Sequence, residues 1–165
     1  MCELTRKDQR KDGQQAISQE TDMISKNEFA KFIREKRKEY NELHHEQLTT
    51  RKIARLLGLN ENSFPKILNR ERPTPRRDLI IAIGIILELL PGEVSEALRL
   101  YEMPELEDPR KLSGEDVDRD RMISRLLIDY SSRGSKCTIE KCDARLMEEG
   151  FLPLEIQTKN KRNGT

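Results

Sequence analysis

The sequence contains no tryptophan and only 4% aromatic residues in a length of 165, which excludes a core built around large rings and leaves an aliphatic one. Cysteine is scarce. Cys2, Cys137 and Cys142 are odd in number with one at the chain end, so they are no disulfide framework and are expected as free thiols. Cys142 is expected as core packing and Cys137 as incidental. No apolar run reaches the 18 or so residues of a membrane span; the longest candidate, LIIAIGIILELLP, is shorter and contains Glu88. The N-terminal MCELTRKDQRKDGQQ lacks the apolar stretch of a secretory signal, and a cytoplasmic location is expected.

Catalytic signatures are missing as well. The chain has no glycine-rich phosphate loop, no GxSxG and no HExxH, and catalysis is not expected. Its two histidines, His44 and His45, are adjacent and would diverge on a helix, so no metal site is expected. No cofactor is implied.

What is present is charge, at 37% of residues against 35% apolar, and its distribution is uneven. Residues 26–77 hold 14 Lys or Arg against 7 Asp or Glu, a net +7, whereas residues 78–120 hold 4 against 12, a net −8. Phosphate attraction depends on cations gathered on one surface rather than on a high total. The first region therefore suits nucleic acid and the second does not. Lys36, Arg37 and Lys38 also fit a plain solvated face.

Within the basic region, LTTRKIARLLGLNENSFPKILNR reads as two short helices joined by a tight turn. Thr49 and Thr50 carry hydroxyls that suit an N-cap ahead of Ile53, Ala54, Leu56 and Leu57. Gly58 can take positive φ and end that helix, with Leu59 tucking the turn into the core. Ala54 is small enough for two helices to cross closely. In the second helix Phe64, Ile67 and Leu68 share one face, leaving Asn62, Ser63, Lys66, Asn69 and Arg70 near the other. Asn60 or Asn62 caps it. With Asn62 as cap, Pro65 lies at the third helical position and costs no hydrogen bond; with Asn60 as cap, one is lost.

This segment resembles the helix-turn-helix of the Cro/C1-type (Xre-like) family of bacterial and phage DNA-binding proteins, over about Asn27 to Leu90. A preceding helix, NEFAKFIREKRKEY, and a following apolar helix, RRDLIIAIGIILELL, stand in the family's order. The resemblance implies a λ-repressor-like all-α bundle in which Asn60 to Asn69 enter the major groove while Thr49 to Arg51 meet phosphate. Two residues depart from the family pattern: Pro65 within the recognition helix, and Thr50 where the family often carries glutamine. On this basis Asn62, Ser63, Lys66 and Asn69 are candidates for base contacts. Thr49, Thr50, Arg51, Arg70, Arg72 and Arg76 are candidates for phosphate contacts, the arginines because a guanidinium fork grips phosphate oxygens in pairs. Arg77 is left for a carboxylate.

The flanking organisation follows from composition and periodicity. Residues 1–24 are polar and aperiodic and read as a disordered arm; the bundle occupies residues 25–106, opening on a helix over Lys26–Glu42 capped by Ser25 with Glu28. An acidic linker at 107–116 leads to a C-terminal helical hairpin at 117–156 and a disordered tail at 157–165. That hairpin is a degenerate copy of the preceding one. RRDLIIAIGIILELLPG, VSEALRL and PELE return as DRDRMISRLLIDYSSRG, IEKCDARL and LPLE, and such a unit must pack on its predecessor or another subunit to bury its apolar face. The expected function is a sequence-specific transcriptional regulator binding an inverted repeat of double-stranded DNA as a homodimer. The alternative is a protein-interaction adaptor or antitoxin-like module that has lost DNA binding and recruits a protein partner through its acidic hairpins.

Overall fold

A computed structural model describes residues 28–71 and 76–156 of the chain. The expected arm, its Ser25 cap, Arg72 and the tail lie outside the described residues. Among these residues the protein is all-α, with seven helices and no strand. Helix α1 covers residues 28–44, followed by α2 (Thr50–Leu56), α3 (Ser63–Leu68), α4 (Arg77–Ile86), α5 (Pro91–Leu100), α6 (Gly114–Arg133) and α7 (Ile139–Glu148). No described helix is long and apolar enough to cross a membrane.

Helix α4 is the axis of the core. Every residue from Leu79 to Leu87 is buried, because α2 packs on one side while α5 and α7 pack elsewhere on it. A sequence that is apolar on all faces can be soluble only when neighbours cover all of them. Gly84 lets α5 approach closely, since a Cβ there would lie 2.7 Å from Cγ2 of Val94. Phe29, Ile33, Ile53 and Phe64 of α1, α2 and α3 join the same apolar cluster, as do Ile123, Cys142 and Leu146 of α6 and α7.

The second hairpin docks on the first, and the two are related residue by residue. A step of 48 positions carries α5 onto α7, Pro91 onto Ile139 and Leu100 onto Glu148. The same step carries the turn at Glu102 onto Gly150, both at positive φ, and the Met103 amide bonded to the Leu98 carbonyl onto the Phe151 amide bonded to the Leu146 carbonyl. It also carries Ser95 Oγ, which accepts from the Leu106 amide at 3.3 Å, onto Asp143 Oδ1, which accepts from the Leu154 amide at 2.8 Å. Leu89 and Val94, buried just before and just inside α5, become Cys137 and Cys142. Those are the positions of a hydrophobic staple. Cys137 is therefore core rather than incidental, a role hidden because the pairing depends on where α7 begins. Burial pushes the Cys142 thiol up to about 12 and the Cys137 thiol up to about 11, the latter against the pull of Lys141.

Ahead of those elements a step of 42 carries Arg77 and Asp78 onto Arg119 and Asp120, and α6 runs five residues further past Arg119 than α4 runs past Arg77 before its end at Gly134. These four residues interlock reciprocally. Arg77 donates to Asp120 at 2.7 and 3.1 Å and to the carbonyls of Pro104 and Glu105. Arg119 donates to both oxygens of Asp78 at 3.0 Å and to the carbonyls of Leu152 and Pro153. Each aspartate then accepts the amide that follows the opposite arginine's carbonyl pair: Glu107 on Asp120 and Glu155 on Asp78. Residue i of one unit meets residue j of the other and the reverse, as across a two-fold axis. Helix α6 starts at Gly114, inside the expected 107–116 linker, because Ser113 Oγ accepts from the Asp116 amide and acidic residues occupy its first turn.

Candidate nucleic-acid interface

The candidate surface starts on α1. Arg34, Arg37, Lys38 and Asn41 follow i, i+3, i+4, i+7 spacing, which places them along one edge of a helix. With Glu42 and Glu46 they line an open groove whose other wall is Gln47, Leu48 and Thr49. Asn41 builds that wall: its Oδ1 accepts from the Leu48 amide at 2.7 Å and its Nδ2 donates to the Leu48 carbonyl at 3.3 Å. Arg37 also donates to that carbonyl. Arg34 and Lys38 are exposed and have no ion-pair partner among the described residues. Three cations thus face two carboxylates in the groove, a net charge of +1, with the basic groups gathered on the α1 edge.

Helix α2 begins at Thr50, as its sequence predicts, because Thr49 Oγ1 accepts from the Lys52 amide at 3.2 Å. Gly58 sits at φ 70 and the Leu59 amide returns to the Ala54 carbonyl, closing α2 with a left-handed residue that a side chain would strain. Helix α3 follows within a few residues and faces α2 through buried Phe64 and Leu68. Asn62 occupies the cap position of α3 but its side chain makes no cap bond. Asn60 instead closes the turn ahead of the helix, its Oδ1 accepting from the Asn62 amide at 2.9 Å. Pro65 is the third residue of α3, so the helix loses no hydrogen bond to it and is only short.

The residues expected at bases divide accordingly. Asn62, Lys66 and Asn69 are exposed, Ser63 is half-buried, and Lys66 has no ion-pair partner among the described residues. Of the residues expected at phosphate, Thr49 is exposed but occupied as a cap, and Thr50 is half-buried. Arg51 is exposed and lies 3.6 Å from Glu61, whose carboxylate also takes Arg55 at 2.8 Å. Arg70, at φ 57, pairs with Glu102 at 3.0 Å and lies 4.9 Å from the centre of the Tyr101 ring. Arg76 pairs with Glu155.

Tyr101 explains the position of Arg70. Its hydroxyl donates to the Ile67 carbonyl at 2.9 Å and its ring meets Phe29 edge-on, tying the end of α3 to α1 and α5. Burial raises the Tyr101 pKa and Arg70 works against that rise. Sequence reasoning missed Arg34, Asn41 and Glu61. The spacing of Arg34, Arg37, Lys38 and Asn41 is a signal that finds the first two; the partners Glu61, Glu102 and Glu155 come from turns and tails whose location no local pattern encodes.

In comparisons with known proteins, no family model, curated protein or solved structure matches the chain.

Proposed function

We propose that the chain is a sequence-specific DNA-binding transcriptional regulator of the Cro/C1 type, in which α1 to α3 form a λ-repressor-like helix-turn-helix bundle acting as a cytoplasmic homodimer on an inverted repeat. The observation that carries this reading is the joint placement of an exposed polar face on α3 and an unpaired basic edge on α1. Phosphates held in the groove by Arg34, Arg37 and Lys38 would set the register, leaving Asn62, Lys66 and Asn69 to read base edges. Arg51, Arg70 and Arg76 would exchange carboxylate partners for phosphate. That exchange costs little, since half-exposed ion pairs are worth about 1 kcal/mol or less.

The test is selection of bound sequences from a random double-stranded pool at moderate salt. Recovery of an inverted repeat is the expected result. Lys66→Ala or Asn69→Ala should alter the recovered sequence, whereas Arg34→Ala or Lys38→Ala should weaken all DNA alike and flatten the salt dependence by roughly one unit each. A pool that yields nothing, with variants that behave as wild type, overturns the reading. The pairing of Arg70 and Arg76 with glutamates favours the second reading, an adaptor or antitoxin-like module that binds a protein through the acidic hairpins, and an empty selection is the result it expects.

A further inference from the structure

A cleft of about 490 Å³ lies where α1, the α4–α5 turn and the α6–α7 turn meet, sharing only Glu46 with the groove of Arg34, Arg37 and Lys38. Its volume is that of a small-molecule site. Three helices end on it: α1 at Leu43 and His44, α4 at Leu87 and Glu88, and α6 at Ser131 and Gly134. Helix C-termini carry partial negative charge from carbonyls that lack intrahelical donors. The carboxylates of Glu39, Glu46, Glu88 and Glu93 line the same cleft, Glu39 and Glu93 paired with Lys36 and Glu88 lying 2.7 Å from His44 Nε2, so that four carboxylates face the two ammonium groups of Lys36 and Lys136. The floor is apolar, from Ile85, Leu89 and Leu127.

The cleft already receives an alkylammonium group from its own chain. Lys136 reaches in from the α6–α7 turn, donates to Tyr40 Oη at 2.6 Å and lies 5.2 Å from the centre of the Tyr40 ring. Its pKa is raised, first by the Tyr40 hydrogen bond and also by Glu46 and Glu88. An ammonium group over an aromatic ring, in a cleft that also holds carboxylates, is an arrangement that binds an organic ammonium ion. A metal cation is a poorer fit, because no group of three His, Cys, Asp or Glu among the described residues could hold one.

We propose that this cleft binds a small aliphatic amine, most simply a diamine, whose ammonium enters the site that Lys136 now fills and whose alkyl chain covers Leu127 and Leu89. The proposal stands independently of DNA binding. Calorimetric titration of the full chain with 1,5-diaminopentane, against glutarate at matched ionic strength, tests it. Saturable binding of the diamine and none of glutarate are expected. Glu46→Gln and Glu88→Gln should each weaken the diamine about fivefold, the upper effect of one partly exposed ion pair. Lys136→Ala, by vacating the site, should tighten it. Circular dichroism confirms that each variant is folded, and Glu140→Gln on the exposed face of α7 serves as a matched control. No saturable heat, equal binding of glutarate, or the same loss in Glu140→Gln as in the cleft variants overturns the proposal.

Discussion

The two helical hairpins, α4–α5 and α6–α7, share a backbone plan and a reciprocal Arg/Asp lock, yet they differ in almost every residue that does not take part in it. The difference follows from what covers each. Leu79, Ile80 and Ile83 of α4 correspond to Arg121, Met122 and Arg125 of α6. The first three are buried, whereas Arg121 and Arg125 are exposed and Met122 is half-buried. The first hairpin lies between α1–α3 and its own copy, while the second has a neighbour on one side only. Burial pattern thus follows tertiary position, and the local features that set helix ends and the lock follow the fold plan. That two unlike sequences retain the same turn, staple and amide acceptors identifies these as the features the plan requires.

The largest test of this comparison removes the two aspartates of the lock in turn. Asp120 is 1% exposed and Asp78 is 15% exposed at the side chain, so the contacts are equivalent but the surroundings are not. Asp120→Ala should cost about 3–5 kcal/mol, because it strands a half-buried guanidinium and the Glu107 amide. Asp78→Ala should cost about 2–3 kcal/mol, since Asp78 itself lies nearer solvent and water can enter the space its carboxylate leaves. Urea denaturation measures both, and equal losses would contradict the role given to burial. For Arg119 burial works to lower the pKa, yet Asp78 holds it raised overall, as expected of a guanidinium that keeps its partner.

Next in size is Gly84→Ala. The new methyl group would enter the space of Val94, and the expected destabilisation is about 1–3 kcal/mol despite the gain in helix propensity. Val94→Ala in the same chain should return part of that loss, which a double-mutant cycle would show as non-additivity. Additive losses would mean that the close approach of α4 and α5 is not what requires glycine.

A smaller exchange concerns the helix starts. Thr138 caps α7 through its hydroxyl, which accepts from the Lys141 amide, whereas Leu90 at the same place before α5 offers no side-chain acceptor and is 46% exposed. Thr138→Ala should lose about 1 kcal/mol, and Leu90→Asp should gain roughly 0.5–1 kcal/mol by giving α5 the cap that α7 has. Thermal melts of the two variants should therefore move in opposite directions.

The smallest effect is a pH dependence at the Ser95/Asp143 pair. Burial holds the Asp143 carboxyl above the usual carboxylate range, although the Leu154 amide and Arg119 pull it down. The folded chain thus keeps that proton more tightly than the unfolded chain. The stability this contributes is complete below the unfolded pKa and is lost as pH rises through the folded one. Asp143→Ser, which copies the first hairpin, should remove the effect, so the variant should gain on wild type as pH rises from acid through the carboxylate range. A constant difference across that range would assign the Asp143 contact to hydrogen bonding alone.

Much of the chain's organisation was legible before any coordinates. Thr49 and Gly58 carry their structural instructions in their own chemistry, one as an acceptor for an unpaired amide and the other as a residue tolerant of positive φ. So does Gly134, whose missing side chain lets α6 end, whereas Ser113, inside the expected linker, caps its start. The repeat was visible too, because the Arg-Asp pair and the PELE/LPLE tails recur in order. Its register was less so: matching LRL to ARL shifts α5 against α7 by two residues from the alignment that the caps and turns impose. For the proposed DNA surface, sequence placed the polar face of α3 but not the carboxylates of Glu102 and Glu155 beside Arg70 and Arg76.

The sequence by itself determined the all-α class, the start and end of α2, the end of α6 at Gly134, the concentration of positive charge before residue 78 and the existence of a repeated hairpin. These are local properties, set by φ preferences, side-chain acceptors and apolar spacing within a few residues. Tertiary structure alone decided that Arg77 meets Asp120 and Arg119 meets Asp78, that Cys137 is core, and that three helix ends converge on one cleft. Each of those depends on groups far apart in the chain, and their partners are chosen by which surfaces must be covered rather than by any pattern a short segment carries.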